Sequence, residues 1–359
     1  MNTFGSILRL TTFGESHGAA IGGVIDGLPA GIEISLGKIA DQTARRRPGY
    51  STLASSRREP DEVEFLSGLM SLGADGIEPF SPGNDRAVTL GTHIGYIIRN
   101  NDARSADYEA LREVYRPSHA DLAWQQRYGI RDWRGGGRSS GRETAARVVA
   151  GAIARQPLES IGAAIRCKLV SVAAETDPTR FAAIIAEAAR DKDSVGGIAE
   201  CRVSGLPAGI GDPVFGKLQQ NLASAILSIG GVKGFDYGDG FAITSLRGSE
   251  AADTIRVDNG AIRYGSNHSG GIQGGISTGG EIVFRAAFKP TPTIGKPLET
   301  INSSLENIVF ENAGRHDPCI ALRGVPVVEA MAALTLLDAC LSAGVRFPSH
   351  NFQPGSGGI

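Results

Sequence analysis

The sequence is poor in several features that mark particular classes of protein. Its 359 residues include only 4 cysteines, which are scattered and form no CxxC pair. Isolated thiols in a chain that is large enough to bury its own core predict a reducing compartment and no disulfide framework. The net charge is -2, from 36 basic and 38 acidic residues. This balance excludes a global positive field that would recruit nucleic acid or an anionic membrane.

Long apolar runs are also missing. The run at 325–337 carries the helical period and is shorter than the roughly 20 residues that span a bilayer. The N-terminal stretch MNTFGSILRLTTFGESHG lacks the apolar core of a signal peptide. These absences predict a cytoplasmic protein with no membrane partner.

Glycine, in contrast, is abundant and clustered. The 49 glycines exceed the usual share of about 7%. The hexapeptide GLPAGI occurs at 27–32 and again at 205–210, each time after a β-like run, which predicts two related halves. The residues that follow the second copy predict a helix with Asp212 as its cap, Pro213 at its first position, and an apolar face. That face contains Phe215, Leu218, Leu222 and Ile229.

The remaining pattern is mixed. Periodicity and turn residues predict helices at 142–156, 179–191 and 326–342, and strands at 94–98, 164–172, 241–246 and 281–288. The irregular alternation and the missing GxGxxG exclude a doubly wound nucleotide-binding sheet and favour an α+β protein of layered sheets and helices. Polar, turn-rich segments at 44–60 and 74–86 predict mobile loops that order over a ligand. The last ten residues predict a flexible tail.

The stretch DWRGGGRSSGRET, residues 132–144, places three consecutive glycines before a predicted helix. Ser140 and Glu143 have the S-x-x-E spacing of a capping box. Free amides at a helix start favour an anion such as phosphate, and arginines add charged hydrogen bonds. The arginines here are Arg131, Arg134, Arg138 and Arg142. A plain helix start with solvated arginines is the alternative, but it does not explain three glycines in a row.

A second basic cluster lies in the first predicted loop and contains Arg45, Arg46, Arg47, Arg57 and Arg58. Alone, such a run is usually a solvated face. If the loop closes over the glycine site, it would enclose a small molecule with several negative groups. The segment 288–297, FKPTPTIGKP, offers Lys289, Thr291 and Thr293 to a second phosphate or a polar ring, or is a plain proline-rich connection.

Four of the six histidines lie in polar, turn-like settings: His17, His119, His268 and His316. A lone histidine is usually structural, but imidazole can donate a proton to a departing phosphate at neutral pH. Asp317 and Cys319 could join His316 around a metal. Because Pro318 interrupts them and no second Cys/His cluster exists, we predict no metal site. Neither a complete P-loop nor a GxSxG nucleophile elbow is present.

Several long motifs together resemble those of chorismate synthases. In chain order they are TTFGESHG, ARRRPG, RREPDEVEFLSG, RPSHADLAWQQRYGIRDWRGGGRSSGRETAARVVAGAIA, SNHSGGIQGGISTG, KPTPT and GRHDPC. The resemblance runs from Thr3 to about Leu341. It implies conversion of 5-enolpyruvylshikimate 3-phosphate to chorismate and phosphate by 1,4-elimination. This is the last step of the shikimate pathway, and it requires reduced FMN without net redox change.

The resemblance also implies a fold and an assembly. We expect a single β-α-β sandwich domain at residues 1–345, a flexible tail at 346–359, and a homotetramer. Members with a built-in flavin reductase carry extra insertions. This chain resembles the simpler members, so we expect an external reductase to supply reduced FMN, without NADPH use by the chain itself.

Residue roles follow from the same resemblance. His17 would protonate the departing phosphate, His119 would act at the reduced flavin, and Asp317 would assist removal of the ring hydrogen. Substrate binding is expected from Arg46, Arg47, Arg131, Arg134 and Arg315. Flavin binding is expected from Arg138, Ser139, Ser140, Gly230, Gly231, Gly274, Lys289, Pro290, Thr291, Pro292, Thr293 and Arg315.

The sequence departs from the family pattern at Thr52, at Gly141, where alanine is usual, and at Gly230 and Gly231. Segment 74–86 resembles an inserted surface loop. The residues alone leave two other functions open: a flavin-independent lyase or phosphatase, and a polyanion-binding module for RNA. The 6% aromatic content and the pI near 6.3 argue against RNA binding.

Overall fold

The computed structural model describes residues 1–47, 60–74, 76–101, 105–312 and 317–350. Most of the predicted 44–60 loop and the tail beyond residue 350 lie outside these ranges. So do Thr52, Arg57, Arg58, Arg315 and His316.

Within these ranges the chain forms α-helices and short strands. The helices are α1 Leu36–Arg46, α2 Asp121–Tyr128, α3 Thr144–Ser160, α4 Pro178–Arg190, α5 Leu218–Leu227 and α6 Ala321–Ser342. The strands of the first half are β1 Thr3–Phe4, β2 Arg9–Phe13, β3 Ala20–Asp26, β4 Glu33–Ser35, β5 Val63–Phe65, β6 Leu69–Gly73, β7 Gly76–Glu78, β8 Arg86–Thr89 and β9 Ile94–Arg99. Those of the second half are β10 Ala164–Val172, β11 Gly197–Ser204, β12 Val232–Tyr237, β13 Ile255–Asp258, β14 Ala261–Tyr264, β15 Ile272–Gln273, β16 Ile276–Ser277, β17 Ile282–Phe288, β18 Leu298–Ile301 and β19 Asn307–Phe310.

The two halves share one topology, as the repeated GLPAGI predicts. The first main sheet has the order β1-β2-β3-β9-β5, and the second has the order β10-β11-β17-β12. The strands β2-β3-β9-β5 of the first sheet correspond to β10-β11-β17-β12 of the second. GLPAGI follows β3 in the first half and β11 in the second, and all the pairings are antiparallel. Gly27 and Gly205 have φ angles of +84° and +72°, and a Cβ on either would lie 1.9 or 2.1 Å from a backbone carbonyl oxygen. Both copies therefore need glycine for the same reason, which is a close backbone approach at a left-handed residue.

Helices lie between the two main sheets. α3 packs on the first sheet, where the Tyr96 hydroxyl of β9 donates to the Ala146 carbonyl at 2.7 Å. α6 packs on the second sheet and against α3. A Cβ on Gly151 would lie 2.3 Å from Ala330, so glycine lets the two helices approach closely. The result is the predicted α+β sandwich, with one continuous apolar core.

The observed elements correct several sequence-based boundaries. The predicted strand at 241–246 is wrong, because Gly240–Ser245 forms a 3₁₀ helix. The helix after the second GLPAGI begins at Leu218, with Lys217 as its N-cap, rather than at Pro213. Residues 44–46, predicted to be in a loop, form the last turn of α1. The predicted loop at 74–86 contains β7 and the start of β8, so the segment extends a sheet.

Among the described residues, one helix is long and apolar enough to cross a membrane. It is α6, whose 22 residues begin well before the predicted start at 326. Since 78% of its apolar window is buried, α6 is a core helix of this fold. Part of the predicted tail is described: the His350 amide donates to the Gly31 carbonyl at 2.8 Å.

Candidate active site

The three glycines of the 132–144 stretch form a left-handed turn between α2 and α3. Gly135, Gly136 and Gly137 have φ angles of +64°, +85° and +53°. Residues with a Cβ rarely adopt this backbone conformation. The turn therefore requires glycine at three successive positions, which a plain helix start does not.

Two histidines lie against this turn. A Cβ on Gly135 would lie 2.4 Å from Cε1 of His17, and a Cβ on Gly136 would lie 2.7 Å from Cε1 of His119. The ring of His17 also packs edge-on against Tyr108, with ring centroids 4.8 Å apart. The glycines thus allow His17 and His119, which are far apart in sequence, to contact neighbouring residues of one backbone turn.

The start of α3 differs from the predicted capping box. The Ser140 hydroxyl accepts a hydrogen bond from the Arg142 amide at 3.3 Å, as an N-cap does. Glu143, however, does not reach back to Ser140. Its buried carboxylate accepts from Thr12 Oγ1 at 3.0 Å and from Arg147 Nε at 3.0 Å. The capping-box prediction failed because this glutamate makes a tertiary contact with β2 instead.

His119 belongs to a buried polar network. Its Nδ1 lies 2.8 Å from Asp121 Oδ1 and 3.1 Å from Arg116 Nη2. Arg116 holds both oxygens of Asp121, through Nε at 2.8 Å and Nη2 at 2.9 Å. Side-chain exposure is 6% for Arg116 and 2% for Asp121, so the pair is shielded from water.

This network lowers the pKa values of both His119 and Asp121. Burial lowers the pKa of His119, and although the contact with Asp121 raises it, Arg116 and Lys289 lower it further, so the net pKa is below the ordinary value. Burial alone would raise the pKa of Asp121, but the hydrogen bonds from Arg116 and His119 outweigh burial and hold it well below its usual range. At neutral pH the ring is therefore neutral and the carboxylate ionised.

The glycine turn forms one wall of a cleft of about 640 Å³. Trp124, Tyr128 and Trp133 contribute aromatic surface. The polar lining includes Asp121, Arg131, Asp132, Arg134, Arg138 and Ser139. Arginines beside flat apolar walls suit an anionic molecule that carries a ring.

Arg131 has an unsatisfied donor in this cleft. Its Nη2 donates to three backbone carbonyls, those of Leu111, Arg112 and Val114, at 2.7 to 3.1 Å. Its Nη1 is buried and, among the described residues, has no hydrogen-bond partner; the nearest carboxylate oxygen, of Asp121, is 4.0 Å away. Buried donors are almost always paired, so a bound water or a ligand would satisfy this atom.

The other predicted substrate arginines occupy different positions. Arg134 lies at the cleft and pairs with Asp132 at 2.9 Å, with 44% of its side chain exposed. Arg46 is buried in the protein: Nη1 donates to Asp61 at 2.8 Å and Nη2 to the Gly141 carbonyl at 3.2 Å. Arg47 is exposed and lies 3.5 Å from the Pro60 carbonyl. Their roles in substrate binding stay predictions.

The predicted KPTPT segment connects the histidine network to Asp317. Lys289 Nζ donates to the Ser118 carbonyl at 2.6 Å, next to His119. The Thr291 hydroxyl donates to the Asp317 carbonyl at 2.7 Å. The Lys289 amide donates to the carbonyl of Gly231 at 2.9 Å, so this glycine also lies near the segment.

Gly274, another predicted flavin residue, lies at a different cleft. It lies between β15 and β16 and lines a second cleft, also about 640 Å³, with Phe235, Tyr237 and His268. The two clefts share no lining residue. His268 pairs there with Asp239, with Nδ1 2.6 Å from Oδ2. Sequence alone could not show that this glycine-rich stretch lines a different cleft from the first one.

Sequence reasoning also missed three buried residues. Arg116 and Asp121 flank His119 within the RPSHAD motif, so their proximity was a usable signal. Asp61 lies in the motif RREPDEVEFLSG, but its role was not predicted: it has φ +52° and pairs with both Arg46 and Arg142. Its partners are distant in sequence, and no periodic pattern connects them.

Comparisons with known proteins identify the family. A profile of chorismate synthases matches residues 8–341. The chorismate synthase of Porphyromonas gingivalis is 48% identical over 371 aligned positions, which cover 96% of each chain. That of Parabacteroides distasonis is 47% identical and covers 96% of this chain and 99% of its own length. The chain belongs to the chorismate synthase family.

A solved crystal structure of a chorismate synthase agrees with this membership. It matches with a TM-score of 0.70 and 27% identity, over 94% of this chain and 93% of that one. Chorismate synthases catalyse the last step of the shikimate pathway, which eliminates phosphate, and they use reduced FMN. The predicted family, reaction, cofactor and mixed fold are thereby confirmed.

Proposed function

We propose that this chain forms chorismate and phosphate from 5-enolpyruvylshikimate 3-phosphate at the cleft beside the triple-glycine turn. The observation that carries the proposal is the contact of His17 and His119 with adjacent glycines of that turn. In the reaction a carbon–oxygen bond to phosphate and a ring carbon–hydrogen bond break, and a carbon–carbon double bond forms. One group must therefore protonate the departing phosphate, and another must handle the ring proton.

His17 is the proposed acid for the phosphate. The Ser16 hydroxyl lies 3.0 Å from His17 Nδ1 and 3.3 Å from the Arg134 carbonyl, so it holds the imidazole beside the glycine turn. Imidazole suits this work because it titrates near neutral pH.

Arginines in the cleft are the proposed anchors of the substrate, whose phosphate and two carboxylates are anionic. Arg131, whose Nη1 has no hydrogen-bond partner among the described residues, and the half-exposed Arg134 line the same cleft. Charged hydrogen bonds from guanidinium groups are about twice as strong as neutral ones. They would hold the substrate beside His17 while the phosphate departs.

The donor set around the turn also fits FMN, whose phosphate is anionic and whose ring is flat and polar. Arg138, Ser139, Lys289, Thr291 and Thr293 are proposed to hold it, and the bare backbone of the glycines permits close approach. When bound, reduced FMN lends electron density to the reacting ring and regains it, so no net redox change occurs. Asp317, which pairs with Arg323 at 2.7 Å, is proposed to assist removal of the ring hydrogen.

The experiment is an anaerobic turnover assay of His17→Ala and His119→Ala. We expect kcat to fall by about 10² to 10⁴-fold in each, because each removes a group that handles a proton. His93→Ala is the matched control, since the side chain of this histidine is 66% exposed and its Nε2 lies 3.5 Å from Asp26. Wild-type turnover in either folded variant would remove that histidine from the mechanism.

We further propose that the chain does not reduce flavin itself and that an external reductase supplies reduced FMN. Support comes from its alignment, which covers 96% of this chain and 96% and 99% of two relatives, so the chain carries no large extra insertion relative to them. NADPH and oxidised FMN without any reductase should yield no chorismate. Turnover in that mixture would show a bifunctional enzyme.

A homotetramer is the proposed assembly. Its support is apolar surface on the β13–β14 hairpin, where Ile255, Val257 and Ile262 are 64%, 74% and 67% exposed. Isolated apolar patches of this kind are typical of association surfaces. Light scattering after size exclusion would give four chain masses if the proposal holds and one if it does not.

The cytoplasm is the proposed compartment. Cys167 and Cys201 face each other across the β10–β11 pair, yet both are free thiols. A reducing environment maintains such thiols. If cells that contain the protein are treated with an alkylating reagent and denatured in its presence, all four cysteines should be modified. Recovery of a disulfide would contradict the proposal.

A further inference from the structure

A buried carboxylate lies directly behind His119. Asp121 is the first residue of α2, and its Oδ1 faces His119 Nδ1 at 2.8 Å. Its Oδ2 accepts from both the Nε and the backbone amide of Arg116, at 2.8 and 3.1 Å. Arg116 therefore fixes the carboxylate in a single orientation, and the carboxylate in turn fixes the plane of the imidazole.

These contacts decide which ring nitrogen carries the hydrogen. An ionised carboxylate only accepts hydrogen bonds, and a guanidinium only donates them. If Nδ1 bears the hydrogen, Asp121 accepts it across the shorter contact of 2.8 Å. The other tautomer would make Nδ1 accept from Arg116 Nη2 across 3.1 Å. The short bond to a charged acceptor is the stronger one, so Nε2 keeps its lone pair.

The charges that face His119 come from several elements. Arg116 precedes it on the same loop, and Lys289 follows β17 and donates to the neighbouring Ser118 carbonyl. Arg131 approaches Asp121 from the other side, at 4.0 Å. Asp121 is the one group of this set that favours the protonated ring, whereas burial, Arg116 and Lys289 all lower the pKa of His119. Removing the charge of Asp121 should therefore lower that pKa further.

We propose that Asp121, held in place by Arg116, is a positioning residue that presents Nε2 of His119 as the nitrogen for proton exchange. Asp121 acts through the ring and not by holding the substrate. The inference rests on the proposed role of His119 in proton transfer. It assigns a role to two residues outside the predicted catalytic set.

The primary test is Asp121→Asn, which keeps the side-chain shape but loses the charge. We expect kcat to fall by at least about tenfold with a much smaller change in KM, because the loss concerns a proton-transfer geometry and not binding. Nitrogen NMR shifts of His119 in the flavin-free protein should show a hydrogen on Nδ1 in the wild type and a mixture in the variant. The His119 titration should move to lower pH.

Glu329→Gln is the matched control. Glu329 is also a buried carboxylate between arginines, with Arg45 Nη2 at 3.2 Å and Arg155 Nη1 at 3.4 Å. It lies on α6, away from the first cleft. We expect lower stability but wild-type kcat, which separates loss of a buried charge from loss of positioning.

A double-mutant cycle separates this inference from the proposed function. If Asp121 acts through His119, Asp121→Asn should reduce kcat in the wild type but not in His119→Ala. Equal losses in both backgrounds, or unchanged tautomer signals, would overturn the positioning role. Full activity of His119→Ala by itself would instead overturn the proposed role of His119. If Asp121→Asn does not fold, Arg116→Lys serves as the second variant, since lysine cannot hold both carboxylate oxygens.

Discussion

Replacing Gly135 by alanine should lower the turnover of this protein much more than its stability. A Cβ at this position would lie 2.4 Å from His17 Cε1, 2.6 Å from Nδ1 and 3.0 Å from Ser16 Oγ. Carbon atoms in ordinary contact are about 3.5 to 4 Å apart. The imidazole must therefore withdraw by about 1 Å, and it can do so because it lies at the end of a side chain.

The two consequences differ in size. The left-handed φ of +64° costs alanine about 1 to 2 kcal/mol of stability. Displacing a catalytic group by about 1 Å costs up to about 100-fold in rate. We therefore expect Gly135→Ala to fold with slightly lower stability and to lose about 100-fold in kcat.

The assay measures kcat with reduced FMN under anaerobic conditions and the free energy of unfolding in urea. Gly141→Ala is the matched control in the same stretch, since a Cβ there meets nothing within 4 Å. Alanine in place of this glycine should be neutral or stabilise by about 0.4 to 1 kcal/mol, with unchanged kcat. Wild-type kcat in Gly135→Ala would refute the argument that the glycine turn positions His17.

Three further outcomes follow from buried charges and thiols. Asp61→Asn should destabilise the protein by about 3 to 5 kcal/mol in urea unfolding, because it removes the buried carboxylate that pairs with both Arg46 and Arg142; a loss below 1 kcal/mol would contradict the buried pairing. The pKa of His119 lies below its ordinary value of 6.5, so the unfolded chain takes up this proton first as pH falls. The free energy of unfolding should thus decrease as pH drops below about 6.5, and less steeply in His119→Ala; equal slopes would contradict the shift. Burial raises the pKa of Cys340 to about 11, so this thiol should react with a thiol reagent at pH about 8 only after unfolding. Rapid labelling of the folded protein would oppose this.

The sequence predicts the reaction well because its chemistry lies in contiguous motifs. RPSHAD and RGGGRSS each place functional residues within a few positions of one another, and the glycine run correctly indicated a close approach. The partner of that approach was not foreseen. Two imidazole rings, those of His17 at Gly135 and His119 at Gly136, make this approach within the protein itself.

What the sequence could not show depends on tertiary contacts. Glu143 has the spacing of a capping box but bonds to Thr12 and Arg147, because it is buried beside β2. Arg46 belongs to an arginine cluster that suggested a ligand surface, yet its side chain is buried against Asp61. The apolar run at 241–246 forms a 3₁₀ helix, and such short runs do not distinguish strands from helical turns.

The most direct test is an anaerobic assay with 5-enolpyruvylshikimate 3-phosphate and reduced FMN, oxidised FMN or no flavin, in which chorismate and phosphate are followed together. We expect equal amounts of both products with reduced FMN and neither product in the other two mixtures. Phosphate without chorismate, or turnover without flavin, would contradict the account.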